Sequence, residues 1–306
     1  MIVKSVGILF VACVPLFAGD FSGERAFGFT RKAVAFGARP SGSPAIAKTQ
    51  AWIVLELKRL RCKVAEDSFT AQTPAGPIVM KNILATFPGS SGRTIVISGH
   101  YDTKVLKDFV GANDGGSSTG FLLELAQSLN RMPRKHTVVL VFFDGEEAVG
   151  DWTATDSLYG SRHLAAKWLA DGTIRQIHAM INVDMIGDQQ LDLLKNPSGS
   201  QTLTNLVWQI AAEQGHQANF LNASLAIEDD HMPFVNQGVN AIDLIDFNYG
   251  PNHSHWHTAA DTMDKLSPRS FKIVGDVVLG TIRRLEQQKS PLAFPLTGPF
   301  RFMHSY

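Results

Sequence analysis

The sequence has 306 residues, 44% hydrophobic and 18% charged, a composition that excludes a disordered chain. The length suits one large α/β domain or two small ones. Lys plus Arg and Asp plus Glu both number 28, so no charge excess points to a nucleic-acid partner or a membrane surface, and the two cysteines, Cys13 and Cys62, exclude a cysteine-rich metal centre.

The chain starts with "MIVKSVGILFVACVPLFAGD": Lys4, an apolar stretch from Val6 to Phe17, then small residues at Ala18 and Gly19. That is the layout of a secretory signal peptide, too short for a membrane span. Cleavage is expected near Ala18, although Leu16 fits poorly, and "FVAC" before Cys13 offers a lipoprotein-type alternative. This assigns residues 1–19 to the signal, 20–290 to the folded unit and 291–306 to a C-terminal tail. The expected location is secreted or periplasmic, with no membrane contact after signal removal. Two helices come next. "GERAFGFTRKAVAFG" puts Phe27, Ala33, Val34 and Phe36 on one side, and "PAIAKTQAWIVLELKRLR" repeats Ile46, Trp52, Ile53, Leu57 and Leu60 at helical spacing. The breakers of "GARPSGSP" separate them. Cys62, at a helix-to-strand passage, is expected to pack. "KVAEDSFTA" and "IVMKNILATF" then read as strands around a turn at "TPAGP".

From there strand and helix alternate. The central strands are expected at 94–99, 137–143, 179–183 and 241–247, with helices starting near Gly116, Asp156 and Ser200. Near-continuous apolar strands separated by helices predict a single α/β domain: a mixed, mostly parallel central sheet flanked by helices on both faces. A last helix opens with "SPRSF", Ser267 as cap and Pro268 in the first turn, and packs through Phe271, Val274, Val278, Ile282 and Leu285. The tail, "PLAFPLTGPFRFMHSY", mixes prolines and aromatics without a period.

In open α/β sheets ligands bind beyond the carboxyl ends of the strands. Here those ends carry unusual residues. The first central strand runs into "GHYDT" with His100 and Asp102, the second into "DGEE", the third into Asp184, and the last leads through a loop into "HSHWHT". Asp114, in "GANDGGSSTG", stands where it would cap the helix after the first strand. In "VVLVFFDGEEA" six apolar residues meet Asp144, Glu146 and Glu147. Carboxylates at the end of a buried strand are costly unless a cation or a reacting proton compensates them. Carboxylate and imidazole donors without thiolates suit a catalytic Zn²⁺ with an open position. Adjacent residues of an extended segment point to opposite sides, so one glutamate can bind metal while its neighbour faces the reacting group. Burial, the metal and neighbouring acids then set that neighbour's proton affinity.

The segments "GHYDT", "GANDGGSSTG", "FFDGEEA", "NVDMIG" and "HWHT" resemble the zinc aminopeptidases of the M28 type. A narrower set, "DGEEAVGDW", "DSLYGSRHLA", "IEDDHMPF" and "HWHT", resembles the glutaminyl-peptide cyclotransferase (glutaminyl cyclase) branch, with a likeness running from about Phe21 to Lys289. The resemblance implies a zinc exopeptidase-like fold and an enzyme that turns N-terminal glutamine of peptides or proteins into pyroglutamate with release of ammonia. It implies one zinc held by Asp114, Glu147 and His257. It makes Glu146 the acid–base, supported by Asp229 and Asp184, and Trp152, Trp256 and Ile227 the walls of a narrow substrate pocket. His163 is read as structural, His253 and His255 as loop residues, and His231 is left unassigned. A monomer is expected.

The chain departs from the animal members in three places. Gly99 stands where they often have a cysteine, so their disulfide is absent. The region around "ANDGGSSTG" looks more like the aminopeptidases, and the loop "NYGPNHSH" is differently built. The runner-up is a two-zinc M28-type aminopeptidase, its first metal held by His100, Asp114 and Asp184 and its second by Asp114, Glu147 and His257. A non-enzymatic binding module ranks last, since no ligand is missing.

Overall fold

The computed structural model describes residues 20–288; the expected signal peptide and the tail lie outside the described residues. In chain order the elements are α1 (Gly23–Val34), α2 (Pro44–Lys58), β1 (Lys63–Thr73), β2 (Gly76–Phe87), β3 (Thr94–His100), α3 (Gly116–Arg131), β4 (Thr137–Phe143), α4 (Tyr159–Asp171), β5 (Ile177–Asp184), β6 (Leu193–Lys195), α5 (Gln201–Glu213), β7 (Phe220–Ser224), α6 (Met232–Val235), β8 (Ala241–Ile245) and α7 (Pro268–Gln287).

The main sheet has six strands in the order β1-β2-β4-β3-β5-β8, and β6 and β7 form a separate parallel pair. Strands β4, β3, β5 and β8 run parallel, while the β1–β2 hairpin adds to β4 antiparallel. The central strands are buried along their length because both faces are covered. Alternation assigns the faces: Ile95, Ile97, Leu140 and Phe142 point into a core shared with α1, α2, α3 and α7, while Val96, Val139, Val141 and Phe143 meet Leu164, Trp168 and Phe234 of α4 and α6. Burying a large apolar side chain contributes roughly 1.5–3 kcal/mol, so this two-sided core sets where the strands sit.

Capping follows the sequence. Ser43 Oγ accepts from Ile46 N ahead of α2, and Ser267 Oγ accepts from Arg269 N with Pro268 in the first turn of α7. The helix expected from Asp156 starts instead at Tyr159, because the Asp156 carboxylate accepts Val149 N, Gly150 N and Tyr159 Oη and folds the preceding loop. Strand β8 stops at Ile245, two residues short, since Asp246 turns to accept Asp192 N and Asn248 N. Gly99 has no room for a side chain: a Cβ there would lie 2.6 Å from both Ser118 Cβ and Val183 O. Among the described residues, no helix is long and apolar enough to cross a membrane.

Candidate metal centre and active site

Four parallel strands release their chains at one edge, and the side chains there meet. His100 ends β3, and Asp102 follows it, both buried. Asp102 faces the turn after β4: its Oδ1 accepts Glu146 N at 3.2 Å and its Oδ2 accepts Glu147 N at 3.3 Å. Gly145 makes that turn with φ of 68°, and a Cβ there would strike Met80 Sδ at 2.4 Å. Two side-chain acceptors on consecutive amides thus fix the backbone of both glutamates.

Two donor groups assemble. In one, His257 Nε2 lies 3.1 Å from Glu147 Oε1 and 3.2 Å from Asp114 Oδ2. In the other, His100 Nε2 lies 3.0 Å from Asp184 Oδ1 and 3.3 Å from Asp114 Oδ1. In each triad the ligand atoms fall within 4.8 Å of one another. Asp114 therefore serves both groups, one oxygen each. It does not cap α3: the cap is Gly115, and the Asp114 carboxylate turns to the two imidazoles instead.

The Asp114–Glu147–His257 group fits a zinc ion. Asp114 Oδ2 and Glu147 Oε2 are buried without an aligned hydrogen bond, the nearest nitrogens being His257 Nε2 at 3.2 Å and Lys104 Nζ at 3.6 Å. Buried acceptors with no donor are costly, and a cation would satisfy them. Two carboxylate oxygens and one imidazole leave a fourth tetrahedral position open. His257 is held at φ of 52° and Met185, just after Asp184, at 47°, left-handed geometry that costs about 1–2 kcal/mol per residue and clusters at functional sites.

The electrostatics separate the two adjacent glutamates. Burial would raise the Asp114 carboxyl, but His100 and His257 outweigh it and hold the group well below the usual range. For Glu147, burial and then Asp114 push the carboxyl up, opposed by His257. Burial drives Glu146 well above its ordinary value; His100 opposes, while Glu147, Asp229 and Asp230 add to the rise. Its Oε2 sits 3.9 Å from His100 Nδ1. Burial and Asp184 raise Asp229 to about 7, and burial also raises Asp184. Behind them Ser98 Oγ donates to Asn182 Oδ1, and Asn182 Nδ2 donates to Asp229 at 2.9 Å and Asp243 at 3.3 Å. Such a reservoir of buried acids can hold protons near neutral pH.

Of the expected pocket walls, Trp256 stacks on His257 at 4.1 Å and 21° and touches Phe247 at 4.8 Å. Ile227 is half-buried against the core. Trp152 is 39% exposed on the loop after β4. His163 stacks on Phe69 at 4.2 Å and pairs with Asp67 at 3.3 Å, on the flank of α4. His253 Nδ1 donates to Phe247 O, and His255 packs on Tyr249. His231 is fully buried, and burial lowers its pKa to about 3.

Sequence reasoning missed the supporting residues. Asn113 donates to Met185 O and accepts Gly187 N, tying the Asp114 segment to the turn after β5. Arg39, fully buried, donates to the carbonyls of Tyr101, Val110 and Gly111. Asp261 accepts from Asn113 N, Asp114 N and Tyr249 Oη. Asp243, an acid inside the apolar run "AIDLI", was a visible signal; Arg39 and Asp261 had none, since their partners are backbone groups far away in sequence.

The sequence profile of peptidase family M28 matches residues 82–282. A glutaminyl-peptide cyclotransferase-like protein of Bos taurus is 32% identical over 263 residues, covering 75% of this chain and 67% of that protein. The crystal structure of an Acidobacteriales bacterium glutaminyl cyclase superposes with a TM-score of 0.84 at 42% identity, covering 88% of this chain and 96% of that one. A Zn-dependent exopeptidase from Parabacteroides distasonis superposes at 0.80 with 25% identity, over 89% of this chain and all of that one (100%).

Proposed function

The chain belongs to peptidase family M28 and, within it, to the glutaminyl-peptide cyclotransferases, and on that premise we propose that Asp114, Glu147 and His257 hold one zinc while Glu146 carries the proton. The enzyme closes the N-terminal glutamine of a peptide or protein into pyroglutamate. The substrate's α-amine attacks its own side-chain amide carbon. A carbon–nitrogen bond forms to the amine, and the bond to the amide nitrogen breaks. Proximity within one molecule supplies part of the rate.

Bound at the triad, zinc supplies a Lewis acid for the side-chain carbonyl. Glu146 accepts the α-amine proton and delivers it to the departing nitrogen, which leaves as ammonia. Asp229 and Asp184 keep protons available around Glu146. Asp102 fixes the Glu146 backbone and so the direction of its carboxylate. Trp256, stacked on His257, forms one wall of the pocket, with Ile227 and Trp152 completing it. The observation that supports this division of labour is the opposite orientation of adjacent acids: Glu147 meets His257 at 3.1 Å, while Glu146 faces His100 Nδ1 and the acids Asp229 and Asp230.

Residues 1–19 act as the export signal, and the catalytic unit, 20–290, works as a secreted or periplasmic monomer. Incubation with a Gln-initiated peptide tests the proposal: ammonia release at unchanged chain length is expected, and release of free N-terminal amino acid would overturn it. The second reading, a two-zinc aminopeptidase, is favoured by one observation, the intact His100–Asp114–Asp184 group. Metal stoichiometry of the active protein decides between them.

A further inference from the structure

Two of the three zinc donors come from segments far apart in sequence. Asp114 precedes α3, and His257 lies in the long loop between β8 and α7. No shared strand or helix joins these segments; besides the His257–Asp114 contact itself, they are connected through Asp261, which is fully buried four residues after His257. Its Oδ1 accepts Asn113 N at 2.8 Å and the Tyr249 hydroxyl at 2.6 Å, and its Oδ2 accepts Asp114 N at 3.2 Å. Tyr249 is itself fully buried and stands at the start of the same loop. The Tyr249–Asp261 bond therefore closes the His257 loop on itself, and the two amide bonds fasten that closed loop to the backbone of Asp114. Arg39 grips the same segment from the other side through Val110 O and Gly111 O.

We propose that Asp261 is a positioning residue that pre-forms the zinc site, holding the His257 loop against the Asp114 segment at the separation that the three donors need. The proposal rests on the assignment of Asp114, Glu147 and His257 as the zinc triad. Groups that orient metal ligands from outside the coordination sphere typically change affinity ten- to a hundredfold when removed. A carboxylate is required for a simple reason. Three donors converge on two oxygens, and an asparagine would turn one acceptor into a donor facing a backbone N–H. Because the position is buried, water cannot restore the lost bond.

The test measures zinc dissociation constants by chelator competition for wild type, Asp261→Asn and Tyr249→Phe, with thermal melts of metal-free and zinc-loaded protein. Val207→Ala, a buried position on α5, controls for general destabilisation. Asp261→Asn is expected to weaken zinc binding by about 10- to 100-fold and to shrink the zinc-induced rise in Tm. Tyr249→Phe should shift both in the same direction by less. Val207→Ala should lower Tm with and without zinc and leave the affinity alone. If Asp261→Asn binds zinc as wild type does, the positioning role is wrong, whatever its Tm. Should that variant not fold, an unchanged zinc affinity in Tyr249→Phe overturns the proposal in the same way. A wild-type protein that binds no zinc would instead remove the triad assignment itself.

Discussion

Replacing Glu146 with glutamine separates proton transfer from metal binding. Glutamine keeps the shape of the side chain, and the bond from residue 146 N to Asp102 Oδ1 survives because it uses the backbone. The three proposed ligands are untouched. What disappears is a carboxylate that must both take up and give back a proton. General acid–base catalysis contributes about 10²- to 10⁴-fold, and a group acting in both directions belongs near the upper end, roughly 5 kcal/mol at 1.36 kcal/mol per decade. The stability effect has the opposite sign. Burial, Glu147, Asp229 and Asp230 raise the folded-state pKa of Glu146 above its unfolded value. The folded protein therefore holds its proton more tightly, and the carboxylate costs stability increasingly as pH rises above the ordinary glutamate pKa, by up to about 1.4 kcal/mol per pH unit. Glu146→Gln removes that penalty, so zinc-free variant at neutral pH should be at least as stable as wild type. Ammonia release from a Gln-initiated peptide measures the rate, chelator competition the zinc affinity, and urea unfolding the stability. A variant that keeps its rate within about tenfold of wild type would show that Glu146 does not carry the proton, and one that loses zinc would refute the separation of its role from metal binding.

Further expectations address the ligand set, the core and the pH response. Glu147→Gln removes the negative charge of the carboxylate that lies 3.1 Å from His257 and should weaken zinc binding by more than about 100-fold, beyond the usual cost of losing an outer hydrogen bond, as measured by chelator competition. Phe121→Ala opens a cavity on α3, where the buried ring lies 4.9 Å from Phe21; urea midpoints should report about 3–5 kcal/mol of lost stability. Burial, with Arg93 and His136, lowers His178 to about 4. The folded protein then binds fewer protons there than the unfolded chain, so this group's contribution is lost as pH falls from about 6.5 towards 4. His178→Gln should flatten that limb of a stability–pH profile measured by urea midpoints.

Much of this protein can be read along the chain. Strands β3, β4 and β5 are continuous apolar runs, and a core covered on both faces requires such runs. The chemistry at their ends stands out because acids and histidines there contradict the apolar pattern: His100, Glu146, Glu147 and Asp184 were visible in this way, while Asp114 read as a helix cap and His257 was distinguished from its loop neighbours by the family resemblance. Composition and period alone therefore predicted the α/β fold class, while the assignment of the donors came from the family resemblance.

The resemblance placed Asp114 in both donor groups; only the tertiary structure decided which of its oxygens meets which imidazole. Asp114 gives one oxygen to His100 and the other to His257, and no spacing rule could show that. Its spacing before α3 suggested a helix cap, yet two imidazoles from distant segments compete more strongly for a buried carboxylate than the helix end does. The same holds for Asp102, Asn113 and Asp261, whose partners are backbone amides and carbonyls. Every residue offers the same backbone groups, so a side chain that recognises them leaves no mark in the sequence until folding brings the two together.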